Sequence, residues 1–554
     1  MRKSVSNSLR VIISTACLAL AVLAHRAEAG INTWDPQGAN SQNPYLSSLS
    51  GIWESNFWDT TDQLGTASTV AWVESSTALF AVNTGTGTPP FLVTMNSGHT
   101  VAGIDNGSQT PGPCSVTING TGAMTLPSGV QMFNIVSPGT VAISNVIAGS
   151  GALVESGSGT LTLYGVNTYV GGTAIGSGCA LTIAGAGKLG GGAYSPGITN
   201  GGTFTYNSSA SQTLLGALSG AGTLVQGGGT LMLSATNTYT GATTINSGKT
   251  LTVSSTGKLG NGTYSANITN NGTFNYNSTN SQTLNGTVSG TGSLSVNPGG
   301  NLGNLLALNG ANTYTGSTTI AGAGQIIINS DSSLGTHPAS YAATQLLFEY
   351  GFLKANGTFT LNSNRGIYLA VGSQSIGASI QVNPGDTLTL AAPITGAAGL
   401  GVIFGSGEPT FGYGTNLLAT NSTYTGPTAI STGRLMLGVN GALPSGTTLV
   451  MAPDDVGGSI FDMNGFNQTI GPLSTTNTFY APAGVGTGTP TIILSGILTV
   501  LQTNTSTVFN GLITGSGSLI INGNTNGTLS LSNYANTYTG VTTINGGTLD
   551  ISTA

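Results

Sequence analysis

Short apolar runs of period two dominate the chain. Leu161 and Leu163 bracket Thr162, and Leu181 and Ile183 bracket Thr182. Leu231 with Leu233 and Leu251 with Val253 repeat the pattern further on. Successive side chains of a strand point to opposite faces, so each run predicts a strand with one apolar face and one Thr/Ser face. Gly, Asn-Gly and Ser-Gly interrupt the runs roughly every eight to twelve residues, the punctuation of tight turns. Nothing beyond residue 29 has helical period. In this reading Ile245 points into the core and Thr243 points outward.

The strands belong to a repeat. Residues 157–226 laid over 227–296 without a gap give 40 identities in 70 positions. A gapless internal repeat implies one structural unit stacked on itself. The expected fold is all-β: a right-handed parallel β-solenoid, or β-helix, whose coils bury a continuous Leu/Ile/Val column. At roughly 20–25 residues per coil and an interstrand spacing of ~4.8 Å, the chain after residue 29 makes about 20–25 coils and a rod of about 100–120 Å. An antiparallel sandwich array is the competing architecture, since it too has evenly spaced short strands.

A shorter motif extends past the duplication. Asn-Thr-Tyr, then x-Gly, then x-Thr-x-Ile, occurs with Asn167, Tyr169, Gly171 and Ile175, and again with Asn237, Tyr239, Gly241 and Ile245. Further copies carry Asn312, Tyr314, Gly316 and Ile320; then Tyr424, Gly426 and Ile430 after Asn421-Ser422-Thr423; then Asn536, Tyr538, Gly540 and Ile544. The tyrosines recur at unequal intervals, so insertions between units are tolerated. These residues are read as structural markers of the repeat.

The motif, read through residues 227–253 as G-G-G-T-L-M-L-S-A-T-N-T-Y-T-G-A-T-T-I-N-S-G-K-T-L-T-V, resembles the autotransporter-associated β-strand repeat of secreted bacterial passenger domains. The resemblance covers 157–335 and 411–554. It implies a β-helical passenger exported by a type V (autotransporter) route. In its fullest form that family resembles a passenger followed by a C-terminal membrane barrel with aromatic girdles. The expectation here is no C-terminal barrel, the sequence stopping at Ala554 inside a fifth unit.

The start of the chain has the marks of export. Arg2, Lys3 and Arg10 precede the apolar or small run 11–24, and Ala27-Glu28-Ala29 supplies a small-x-small cleavage pattern. The run is shorter than the ~20 residues a membrane-spanning helix needs, so cleavage between Ala29 and Gly30 is expected. All four tryptophans, Trp34, Trp53, Trp58 and Trp72, then fall before residue 73, with Phe57 and Phe80 nearby. Such a cluster suits a cap over an open solenoid end, and stacking against sugar rings is its alternative use. The expected organisation is a signal peptide at 1–29, a Trp-rich N-terminal cap at 30–110 and first coils at 111–156. Repeats one to three then fill 157–335, divergent spacer coils 336–410, and repeats four and five 411–554.

Composition narrows the function. Of 554 residues 88 are glycine and only 5% are charged, yet mean hydropathy is +0.20 and the apolar residues alternate in order, so the chain folds. Loss of residues 1–29 leaves 6 basic against 15 acidic residues. Sparse negative charge excludes nucleic acid as a partner, because phosphate binding needs clustered Lys and Arg. Cys114 and Cys179 are expected to be isolated small hydrophobes, although export makes a disulfide chemically possible. His99 and His337 stand far apart without neighbouring acids, and no Ser-His-Asp order, H-E-x-x-H or C-x-x-C occurs, so triad and zinc chemistry lack their parts.

Asp454, Asp455 and Asp462 form the densest acidic stretch and read as a solvated turn. A calcium site or a glycosidase carboxylate pair are the alternatives there. No catalytic residue, cofactor or metal ligand is nominated. The expected function is an exported structural β-solenoid passenger, surface-displayed or secreted, acting as an adhesin or envelope stalk without catalysis. The alternative is a carbohydrate-binding or carbohydrate-active protein on the same fold. Glycans and host or neighbour cell surfaces are the expected partners of its Thr/Ser/Asn faces.

Overall fold

The computed structural model describes residues 31–34, 49–55, 58–59, 71–80, 91–106, 113–300, 304–372, 376–406, 413–451, 458–475, 488–524 and 526–551. Ala29, Gly30, Phe57, Asp454 and Asp455 lie outside them. The described elements are short strands with brief 3-10 turns such as Gly190–Gly192 and Asp331–Leu334, and no α-helix occurs among the described residues. None of their helices is long and apolar enough to cross a membrane.

The chain divides into two compact units, residues 1–252 with 256–261, and residues 253–255 with 262–554. In the first unit one parallel sheet runs through Val116–Asn119, Thr140–Ile143, Thr160–Leu163, Ala180–Gly185, Thr203–Ser208, Thr223–Gln226 and Thr243–Ile245. A second contains Val130–Ile135, Ala152–Gly157, Thr173–Ile175, Ile198–Asn200 and Leu218–Ser219. A third contains Ala193–Tyr194, Gln212–Leu214 and Thr230–Leu233. Consecutive strands thus fall on three different faces and each pairs with the strand one coil away. That is a parallel β-solenoid. One antiparallel pairing, Ile31–Trp34 with Trp58–Asp59, stands at its aromatic end.

The second unit has the same construction. Its sheets include Thr273–Ser278 to Ile394–Gly396, Thr263–Tyr264 to Leu473–Ser474, and Phe359–Leu361 to Leu512–Thr514, each a ladder of parallel pairs. Among the described residues the solenoid makes about 19 turns, and coil length is not uniform. In the first unit register carries Thr160 to Ala180 and Ala180 to Thr203. In the second it carries Arg434 to Ile460 and Ile460 to Thr491, so the later coils consume more chain.

The long repeat does not stack on itself. Thr160–Leu163 lies between Thr140–Ile143 and Ala180–Gly185, but its equivalent Thr230–Leu233 lies on Gln212–Leu214 in a different sheet. Thr173–Ile175 pairs with Leu153–Glu155, while its equivalent Thr243–Ile245 pairs with Leu224–Gln226 in the sheet that holds Thr160–Leu163. Three coils carry Thr160 to Ala180, then Thr203, then Thr223, and so stop short of Thr230. The segment 224–230 turns one corner, so each copy starts one face further round.

The core follows the period-two pattern. Leu161, Leu163, Leu181, Ile183, Leu231, Leu233, Leu251 and Val253 are all fully buried. Each such side chain contributes about 1.5–3 kcal/mol of transfer free energy. Thr243 is the correction. It is buried like Ile245, and the outward residue of that strand is Thr244. Residues two apart share a face, so Thr243 had to follow Ile245 inward.

Candidate functional site

The repeat motif is a set of cross-coil fasteners. Asn167 accepts the N–H of Ile147 on the preceding coil at 2.9 Å and donates Nδ2 to the carbonyl of Lys188 on the following one at 3.1 Å. Asn237 does the same with Leu218 and Lys258, and Asn312 with Val288 and Ser333. Asn536 accepts from Ile513. In the fourth unit Ser422 takes the place two before the tyrosine and accepts from Ile394 at 3.3 Å, while Asn421 turns outward. The equivalent Lys188 and Lys258 thus serve through their carbonyls.

The tyrosines of the first four units are inward groups, while Tyr538 of the fifth is only half-buried. Tyr169, Tyr239, Tyr314 and Tyr424 are buried, each hydroxyl within 2.5–2.8 Å of the threonine four positions on. Thr173 passes the bond to Tyr194, which donates to the Gly171 carbonyl. Burial pushes the Tyr314 phenol up to about 12 and the Tyr169 phenol well above its ordinary value. These hydroxyls stay protonated and act as fixed hydrogen-bonding groups.

The glycine two after each tyrosine is required by close approach. A Cβ on Gly171, Gly241, Gly316 or Gly540 would stand 2.0–2.2 Å from the carbonyl oxygen of Gly151, Gly222, Gly292 or Gly517 in the coil before. Gly426 meets the carbonyl carbon of Leu400 at 2.3 Å. Ile175, Ile245, Ile320 and Ile430 are buried, while Ile544 in the fifth unit is 51% exposed, with no described coil over it.

The tryptophans are packing groups, which removes their sugar-stacking reading. Trp34, Trp53, Trp58 and Trp72 are all buried, with Trp58 4.8 Å from Trp34 and from Trp53 and 4.7 Å from Trp72, ring centre to ring centre. Edge-on pairs of this kind add about 0.5–1.5 kcal/mol each beyond burial.

Beside them His99 has the acidic neighbours that sequence spacing did not reveal. Its Nδ1 is 2.7 Å from Glu74 and its Nε2 3.6 Å from Glu54. Glu54 also accepts the N–H groups of Asn96 and Ser97. Burial raises its carboxyl, but those backbone donors outweigh it and hold the group below its ordinary value. The two carboxyls and the imidazole are distant in sequence and meet because the chain coils. These contacts tie the segments after Trp53 and Trp72 to residues 96–100. His337 is exposed beside Pro338.

Other charged groups are held for structure. Arg365 is buried and donates to both Asp331 oxygens and to the carbonyls of Leu334 and Gly335. Asp462, the described member of the acidic stretch, accepts from Asn464 and faces Arg434 at 3.4 Å. Among the described residues no three His, Cys, Asp or Glu side chains form a group able to hold a metal. Cys114 and Cys179 are both free and buried. Burial pushes their thiols up to about 12 and about 11, so neither is a nucleophile at neutral pH. Glu155 is the inward acid that the repeat pattern did not single out. It is fully buried, and desolvation pushes its carboxyl up to about 8 against the N–H of Leu161.

Comparison with known proteins agrees with this architecture. The Passenger-associated-transport-repeat model matches residues 153–183, 226–253, 305–325, 411–437 and 526–551, one match for each occurrence of the tyrosine motif. The chain is similar to the protein named Adhesin BmaC autotransporter of Brucella suis biovar 1 (strain 1330), 28% identical over 475 residues. That alignment covers 78% of this chain and 12% of the relative, so the chain spans a small part of its relative's length. No solved structure matches. The chain thus carries five segments that match the passenger-associated transport repeat, set into a parallel β-solenoid.

Proposed function

We propose that the chain is an exported structural passenger, displayed on the cell surface or secreted, that serves as an adhesin or envelope stalk and not as an enzyme. The observation that carries this reading is the use made of the repeated polar residues. The motif asparagines and tyrosines are engaged in bonds within and between coils, which leaves the outward Thr, Ser and Asn faces for contact with other surfaces. The relative's name as an adhesin supports the same reading. Glycans and host or neighbouring cell surfaces are the partners proposed.

Purified full chain, labelled and applied to a panel of animal and bacterial cells, is expected to bind at least one surface saturably and to compete with unlabelled protein. Uniformly unsaturable retention would leave the adhesive role without support. The enzymatic alternative is tested on the same protein by incubation with a polysaccharide panel. Depolymerisation abolished by Asp454→Ala or Asp455→Ala would overturn the structural assignment.

A further inference from the structure

We infer that a groove on the second unit is a binding site for a neutral saccharide, which deepens the adhesive reading by giving it a ligand class and a place. The groove lies against the parallel strands Gln468–Ile470, Ile497–Val500 and Ser518–Asn522. Register sets Thr469 opposite Thr499 and Thr499 opposite Ile520, so these outward side chains form one column. At ~4.8 Å per coil the column is about 10 Å long. The wall is the turn segment 441–445, where the chain contributes no strand, and Ile497 stands 41% exposed at the rim. The concavity measures about 570 Å³, within the size range of small-ligand sites.

Three features choose the ligand. No charged side chain lines the groove, so an anionic glycan, phosphate or acidic peptide would lose hydration without gaining a countercharge. The hydroxyls of Ser445, Thr469 and Thr499 and the Nδ2 of Asn467 make no hydrogen bond within the described residues, although Asn467 itself is fixed by its Oδ1, which accepts from Ile497. Beside these donors and acceptors stand the apolar faces of Ile497 and Ile520. A pyranose ring offers the complement: hydroxyls round its edge and C–H groups on its faces. An entirely apolar ligand would leave the polar groups unpaired, which disfavours it.

The test uses the full chain and the double variant Thr469→Val/Thr499→Val, which keeps shape and strand preference while removing two hydroxyls. Binding is measured to a panel of neutral hexose and N-acetylhexosamine oligosaccharides, and to sulfated and sialylated counterparts. The expected result is binding confined to neutral members and weakened about tenfold or more in the double variant, from two lost hydrogen bonds. Thr389→Val, on a strand of another sheet, is expected to bind as the parent does. Far-ultraviolet circular dichroism and melting confirm that the variants fold.

Absence of binding to every neutral member, binding only of anionic members, or equal binding by the double variant would overturn the site. Cell adherence measured in parallel separates the two readings. Adherence that survives the double variant leaves the adhesin standing and removes the groove. Saccharide binding lost in the variant, with no adherence by the parent, does the reverse.

Discussion

Glu155 pairs with Ile175 in the next coil, and Gln226 pairs likewise with Ile245, the repeat equivalent of Ile175. Gln226 donates to the carbonyls of Gly229 and Thr250, and Gln502 likewise to Thr505 and Thr528. Glu155 can match such a donor only while protonated. Its carboxyl is raised from the usual range to about 8, so the folded chain keeps a proton that the unfolded chain releases. That contribution is complete below the ordinary carboxyl range and is lost as pH rises through about 8. The urea midpoint of the first unit is therefore expected to fall between pH 5 and pH 9, and Glu155→Gln to flatten that fall. Identical slopes for parent and variant would refute the assignment. Thr243 supplies a second residue-level prediction. Thr243→Asp and Ile245→Asp both bury a carboxylate and are expected to lower stability by several kcal/mol, whereas Thr244→Asp stays within about 0.5 kcal/mol in the same denaturation series.

Elements in this fold are coils, and the distance between them is set by glycine. Gly241→Ala would put a methyl 2.1 Å from the Gly222 carbonyl, which is backbone and cannot swing away. A loss of about 1–3 kcal/mol or more is expected by urea denaturation. Gly248→Ala, where nothing lies within 4 Å but φ is +70°, is expected to cost about 1 kcal/mol. Coils are also tied along their edges. Asn285, Asn309, Asn329, Asn356 and Asn383 form an amide ladder in the second unit, each Nδ2 after that of Asn285 donating to the Oδ1 one coil before. The rungs are exposed, so each contributes modestly and their effect is to hold register.

At the scale of the whole molecule charge has little to do. Ion pairs among the described residues include His99 with Glu54 and Glu74, Arg365 with Asp331, and Arg434 with Asp462, in a chain of which only 5% is charged. Cohesion comes from the buried aliphatic column and from backbone pairing, both nearly indifferent to salt screening. The melting temperature is expected to move by only a few degrees between about 10 mM and about 0.5 M sodium chloride. A large drop at high salt would mean that electrostatics carries more of the fold than these pairs indicate.

Much of the fold is legible in the sequence because it is local. Period two sets the inward leucines, turn residues set strand ends, and the tyrosine motif marks its units. Thr243 departs from its expected face because its polarity suggests solvent while its register with Ile245 places it inside. The glycine and asparagine of the motif are visible as markers, but their partners are not, since those lie a full coil away along the chain. The same separation hides the acids beside His99, the guanidinium of Arg365 bound to Asp331, and the Thr469–Thr499–Ile520 column. Coil length is the physical reason. The sequence by itself determined strands, faces and a long tandem repeat, all set by neighbouring residues. Only the tertiary structure decided how much chain closes a coil, and therefore that one repeat makes three coils and one further face. That remainder, not the repeat itself, determines which side chains become neighbours along each face.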